Sequence, residues 1–192
     1  MIDNDKYQDL YRIQSSRLQS WDYRCNGAYF ITICTKNGIQ YFGDITGSEM
    51  KLSHIGILAD VYWYEIKNHF INVELGGFIV MPNHIHGIIL LNNTDNSSTE
   101  TLNLKSLNKQ QQNTMTTISP KKGSISTIVR SYKSAVSRNA NRLGYNFSWQ
   151  SRFHDHIIRN QKSYNHIKEY IKTNPQRWKE DRFYISDNNK SL

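Results

Sequence analysis

The sequence predicts an α+β sandwich: one mainly antiparallel sheet with helices packed against it. Three observations carry this expectation. Short β-branched and aromatic runs of strand length alternate with longer stretches whose apolar residues recur at helical spacing. The order is strand, helix, strand, strand, helix, strand, helix, with a tight turn joining the two central strands. The chain has 192 residues, enough for one domain with its own core, and shows no internal repeat.

The first predicted strand is Ala28–Thr35, AYFITICT, which follows the turn pair Asn26-Gly27. Ile39–Ile45 suggests a short hairpin around Gly38 and Gly43. Ser53 is placed to cap a helix on which Ile55, Leu58, Ala59, Tyr62 and Ile66 share a face, ending near Phe70. Val73–Met81 reads as a strand broken at Gly76-Gly77. Pro82-Asn83 then turns the chain into the strand His84–Leu91. Ser124–Arg142 returns to helical spacing through Ile125, Ile128, Val129, Tyr132, Ala135 and Val136. A strand is expected at His154–Ile158 and a helix at Ser163–Thr173. Pro175 stops that helix, because it cannot donate to the ladder and disfavours α geometry at Asn174.

Asn92–Lys122 differs from the rest: 31 residues rich in Asn, Ser, Thr and Gln, with little to bury. A structureless loop of that length is expected to be a disordered insertion between two halves of one domain. The domain is expected over 16–178, with tails at 1–15 and 179–192.

The net charge of +8 is unevenly spread. Lys121–Arg182 carries 14 basic against 4 acidic residues, a net of +10, and the remainder carries 10 against 12. A basic half beside a near-neutral half is a footprint for a polyanion. No apolar run approaches the ~20 residues that span a membrane. The polar, acidic N-terminus does not read as a signal peptide. Two cysteines, Cys25 and Cys34, suggest a reducing compartment, so the cytoplasm is expected.

His84 and His86 are two apart in a predicted strand. Their imidazoles therefore leave the same face, while Ile85 points the other way. Two metal-capable nitrogens then sit side by side on a rigid element, although such pairs also occur on solvated strand faces. On the last helix Tyr170 and Asn174 are one turn apart. A tyrosine hydroxyl can form a covalent intermediate, and an amide oxygen can add a harder ligand to two imidazoles. Such a set leaves coordination positions open and suits Mg²⁺ or Mn²⁺. Tyr132 and Tyr164 are rival nucleophiles. Tyr132 falls on the apolar side of its helix, and Tyr164 has Lys168 one turn on, which is no metal ligand. Arg130, Lys133, Arg138, Arg152 and Arg159 are candidates for phosphate contacts, and Trp149 or Phe153 for base stacking.

Five stretches resemble a known family: SRLQSWDYRCNGAYFITICT, GGFIVMPNHIHGIILL, IVRSYKSAVSR, WQSRFHDHIIRN and YIKTNP. The chain is similar to IS200-like tyrosine transposases, specifically the REP-associated branch, from about Ser16 to Trp178 apart from the insertion. VMPNHIHGI carries the His-hydrophobic-His signature of the wider family of single-strand endonucleases. The resemblance implies a ferredoxin-like sandwich. It makes His84 and His86 metal ligands, Asn174 the residue completing the metal site, and Tyr170 the nucleophile. Insertion-sequence relatives usually carry Gln at the position of Asn174, and Asn fits the REP-associated branch.

The implied activity is cleavage and rejoining of single-stranded or hairpin DNA through a 5′-phosphotyrosine, with a divalent ion and without ATP. The implied assembly is a monomer or a homodimer. Two other classes compete. One is a DNA- or RNA-hairpin-binding module without cleavage; RNA processing, whose backbone chemistry is similar, stands beside the cleavage reading. The other is a metal hydrolase of small molecules, which would leave the basic half without a purpose and would need a compact apolar pocket.

Overall fold

In the computed structural model, residues 22–93 and 123–185 are described, together with two paired short strands, β1 (Lys6–Tyr7) and β2 (Leu10–Tyr11). The expected insertion lies, from residue 94 to 122, outside the described residues. The main elements are β3 (Gly27–Cys34), β4 (Gly43–Thr46), β5 (Glu49–Leu52), α1 (His54–His69), β6 (Val73–Met81), β7 (His84–Leu91), α2 (Ile125–Arg142), β8 (His154–Ile158) and α3 (Gln161–Thr173). A 3₁₀ segment, Asn174–Glu180, follows α3 directly.

Four strands form the main sheet in the order β6-β7-β3-β8, every neighbouring pair antiparallel. This is the mixed α+β sandwich that the sequence predicts. Side-chain alternation divides the sheet into two faces. Tyr29, Ile31 and Ile33 of β3 and Ile85, Ile89 and Leu91 of β7 pack against α1 and α2 through Ala59, Trp63, Ile66, Ile128, Tyr132 and Val136. The other face is covered by α3. There Ile88, Ile158 and Ile171 form a smaller cluster with Phe30, Ile79, Tyr164 and Tyr170. His84 and His86 leave β7 on this second face.

Local chemistry sets the helix starts. Ser53 accepts a hydrogen bond from Gly56 N at 3.1 Å, Ser124 one from Thr127 N at 3.4 Å, and Asn160 one from Ser163 N at 2.8 Å. Gly87 is required by packing: a Cβ there would fall 2.2 Å from Trp63 Cζ2. The bare backbone lets the Trp63 ring slide in and stack on Phe78, with centroids 4.5 Å apart and planes at 9°.

Three local expectations change. The hairpin expected around Gly38 and Gly43 is β4-β5, displaced along the chain. Its turn is Gly47-Ser48, both at positive φ (59° and 66°), the primed geometry that matches strand twist. Val73–Met81 is not broken at Gly76-Gly77; it runs on with a register shift between Leu75 and Phe78. The missing side chains there receive Tyr164 and Ile171 of α3. Finally, Asn174 precedes Pro175 yet is helical, at φ −57° and ψ −42°. Its buried side chain, hydrogen-bonded as described below, holds it in that conformation.

Candidate active site

The sheet register builds the site. Cys34 of β3 lies opposite His84, and Thr32 lies opposite both His86 and His154. The Pro82-Asn83 turn delivers His84 as the first residue of β7. Asn83 then fixes the ring. Its Nδ2 donates to Gly38 O at 3.1 Å and to Phe183 O at 2.8 Å, so its Oδ1 is the atom facing His84 Nδ1, at 2.9 Å. An amide oxygen only accepts, so Nδ1 carries the proton and Nε2 keeps its lone pair. His86 Nδ1 is held in turn by Thr32 Oγ1 at 2.8 Å.

The two Nε2 atoms face each other at 3.0 Å. Both histidines are buried, and burial is the main reason that both resist protonation. His84 is pushed down to about 3 and His86 lies well below the usual imidazole range, with the neighbouring His84 adding to the effect at His86. Neutral imidazoles with converging lone pairs are what a cation needs. Two ligands about 2.1 Å from one ion at a right angle are about 3.0 Å apart, the octahedral arrangement of Mg²⁺ and Mn²⁺.

The far end of α3 supplies the other groups. The Tyr170 hydroxyl is 3.2 Å from His86 Nε2 and donates to Asp181 Oδ2 at 3.1 Å. Asn174 Nδ2 donates to the same Asp181 oxygen at 3.0 Å. That contact turns the amide so that Asn174 Oδ1, the atom able to ligate, is buried with no hydrogen-bond partner. Asp181 Oδ1 accepts from Phe183 N at 2.8 Å, which locks the carboxylate. His84, His86 and Asp181 are a possible metal-binding group, with donor atoms within 4.8 Å of one another. Burial raises Tyr170 to about 12, with the Asp181 carboxylate adding to the shift, so the phenol holds its proton at neutral pH.

The structure thus brings His84, His86, Tyr170 and Asn174 together. It separates the rival tyrosines from them. Tyr132 is buried in the other core, donating to Ala59 O at 2.8 Å, and Tyr164 packs beside the glycine pair of β6. The phosphate-contact candidates divide. Arg130 and Arg138 are exposed on α2, the helix behind the sheet face opposite the histidines. Lys133, on the same helix, donates to Gln150 O at 2.5 Å and Ser151 O at 3.3 Å and so anchors a loop. Arg152 is exposed in the segment before β8, and exposed Arg159 follows β8 and shares a cavity with His156, Asn160 and Ser163. Trp149 and Phe153 are partly buried and pack against the larger core.

Several site residues have no signal in the sequence reading. Asp181 and Phe183 fall in the stretch expected to be a tail, yet the Phe183 ring lies 4.7 Å from that of His84. Arg182 sits over Phe183 at 4.4 Å and lines a cavity with Tyr170. Thr32 becomes visible only once β3 and β7 are paired in register. Asn83 had a signal, its place immediately before the first histidine.

No family model matches the chain. A Haemophilus influenzae protein described as uncharacterized is 36% identical over 178 residues, covering 92% of this chain and 95% of the other. A solved structure of a REP-associated tyrosine transposase bound to a REP hairpin has the same fold. It aligns with a TM-score of 0.54 at 20% identity, covering 86% of this chain and 74% of that one. No helix among the described residues is long and apolar enough to cross a membrane. The chain therefore belongs to the family of the Haemophilus influenzae protein, on a fold it shares with that hairpin-bound transposase.

Proposed function

We propose that the chain is a transposase-type endonuclease that cleaves and rejoins single-stranded or hairpin DNA through a covalent tyrosine intermediate. One observation carries the reading: the Tyr170 hydroxyl sits 3.2 Å from His86 Nε2, which itself faces His84 Nε2 at 3.0 Å. A nucleophile and a two-imidazole site in contact, on a basic chain, fit phosphodiester chemistry better than small-molecule hydrolysis. The fold shared with a hairpin-bound transposase supports the same choice of substrate.

His84, His86 and the unpartnered Oδ1 of Asn174 would hold a divalent ion, Mg²⁺ or Mn²⁺. When bound, that ion would withdraw charge from the non-bridging oxygens of the scissile phosphate. Tyr170 attacks phosphorus as the bond to the 3′-oxygen breaks; that oxygen takes a proton from solvent and leaves as a 3′-hydroxyl, while the 5′-phosphate of the other fragment stays on the tyrosine oxygen. With its pKa near 12, the phenol needs a proton acceptor, and Asp181 Oδ2 lies 3.1 Å away for that purpose. The Asp181–Asn174 hydrogen bond keeps both groups in register. Attack by a 3′-hydroxyl on the phosphotyrosine reverses the step and reseals the strand, so no nucleotide cofactor is consumed.

The experiment is nicking of labelled hairpin oligonucleotides with Mg²⁺, with Mn²⁺ and with a chelator. A product that remains attached to protein on a denaturing gel and depends on the metal supports the reading. Binding without any cleavage would favour a hairpin-binding module instead.

A further inference from the structure

Beside Tyr170, on the side away from His84, the structure holds a cavity of about 550 Å³ between the edge strand β8 and α3. His86 and Tyr170 form one wall of it, and the cleavage chemistry above uses none of the rest. Its residues come from three strands, α3 and the turn after the 3₁₀ segment, most of them placed by simple periodicity. His156 of β8 lies opposite Phe30 of β3, so both face the α3 side of the sheet. His166 and Ile167 stand four and three positions before Tyr170, on the same flank of α3. Arg182 reaches the cavity from the turn after the 3₁₀ segment. Phe30 also ties the cavity to the reacting groups: its ring meets Tyr170 edge-on at 6.2 Å and His86 at 5.1 Å.

The lining has a definite chemical character. Phe30 and Ile167 offer flat and apolar surface. His156 and His166 are exposed rings that can stack on a base and hydrogen-bond to its edge. Arg182 is an exposed cation, and Asp155 is the one carboxylate of the lining. Aromatic and imidazole faces, polar ring nitrogens and one cation together make the surface that accepts an unpaired nucleotide. The site is open enough for a nucleotide that enters from a strand, and its apolar surface carries a few polar groups that can fix orientation.

The geometry points to this cavity as the binding pocket for one unpaired nucleotide, the one that stays joined to Tyr170 through its 5′-phosphate. This rests on the cleavage reading above. The choice between the two nucleotides flanking the cut follows from displacement geometry. The leaving 3′-oxygen departs opposite the tyrosine, away from α3. The retained nucleotide is attached to the same phosphorus beside the tyrosine, where the cavity opens. Arg182 then faces the phosphate and the base lies between the two histidines and Phe30.

A free deoxynucleoside 5′-monophosphate mimics the retained half of that intermediate, so the pocket is testable without knowing the target DNA. The four 5′-monophosphates are titrated at millimolar concentration into the full chain with ¹³C-labelled histidine, and the His156 and His166 ring signals are followed. At least one 5′-monophosphate is expected to shift both rings in a saturable way. The 3′-monophosphates and inorganic phosphate should bind more weakly by about fivefold or more, because only the 5′-isomer carries its phosphate on the 5′-oxygen, as the retained nucleotide does, with a base that can stack. His166→Ala should weaken the binding by about fivefold or more through loss of a stacking partner. Lys172→Ala, an exposed change on the other flank of the same helix, facing Gly77, should leave it alone. Unmoved rings, or equal shifts with inorganic phosphate or the 3′-isomers, would overturn the pocket. The outcomes separate from those of the nicking assay: a covalent adduct without mononucleotide binding sinks the pocket alone, and mononucleotide binding without any adduct sinks the cleavage reading alone.

Discussion

The Tyr170 hydroxyl donates to Asp181 Oδ2 at 3.1 Å while its oxygen stays 3.2 Å from His86 Nε2. The phenol is thus tethered between a proton acceptor and the imidazole pair. Asp181→Asn keeps the size of the side chain but removes its basicity. Cleavage at neutral pH should fall by about 10²- to 10⁴-fold, the usual contribution of a general base. The variant's rate should then climb about tenfold per pH unit toward pH 9, as the phenolate fraction grows. Single-turnover rates across pH check this. A rate unchanged from the native chain would remove Asp181 from the chemistry.

Stability should carry the signature of the two buried imidazoles. Both are held neutral in the fold, His84 at about 3, whereas the unfolded chain protonates them near 6.5. Their folded values are depressed, so the unfolded state binds protons that the native state refuses as pH falls below about 6.5. Stability should drop across pH 6.5 to 4 by up to ~1.4 kcal/mol per pH unit per histidine. His84→Gln or His86→Gln should flatten that slope, and added Mn²⁺ should raise the midpoint above pH 6. Urea melts at several pH values measure it. A slope unaltered in either variant would mean that these rings protonate in the native fold.

Much of the fold was legible because its strands and helices obey single periodicities. The cap Ser53, the helix through Ile55 and Ala59, and the β6-β7 hairpin around Pro82-Asn83 lie where composition puts them. The shifted β4-β5 hairpin was not legible, because its turn rests on Ser48 at positive φ, which a serine rarely signals. Within the site, His84 and His86 were readable from alternation, and Tyr170 with Asn174 from helical spacing. Asp181 was not: its place depends on a 3₁₀ segment that runs through Pro175 and folds the chain back onto α3. Thr32 and His156 were hidden for a related reason, since only the register of β3 with β7 and β8 brings them to one face.

The packing account rests on a separate pair. Gly87→Ala would place a methyl 2.2 Å from the ring of Trp63, which is fully buried and stacked on Phe78. The cost should be about 1–3 kcal/mol, the range for overpacking. Chemical denaturation measures it. A loss below about 0.5 kcal/mol, the ordinary range of a surface substitution, would show that Trp63 can move.

Phosphate contacts should follow the face on which each arginine stands. Arg159 borders a cavity with His156 and Ser163, two residues that also line the cavity beside Tyr170, while Arg138 stands on α2 behind the sheet. Arg159→Ala should weaken hairpin binding and reduce the slope of log affinity against log salt by about one, the loss of one phosphate contact. Arg138→Ala should change the slope by much less. Fluorescence anisotropy over a salt series distinguishes them, and a reversed order would put the DNA on the helical face.

The most direct test of the central claim is the covalent adduct itself. Tyr170→Phe removes one oxygen, the atom in contact with His86 and Asp181, and leaves the ring packed against Phe30. Folding, metal binding and hairpin binding should persist. Cleavage and the protein–DNA adduct should vanish together, and no concentration of Mn²⁺ should restore either. The assay is a labelled hairpin oligonucleotide with native and variant protein on a denaturing gel, with the native adduct mapped by peptide sequencing. A native adduct on Tyr170 and none from the variant is the expected result. A normal adduct from Tyr170→Phe, or a native adduct mapped to Tyr132 or Tyr164, would contradict the account.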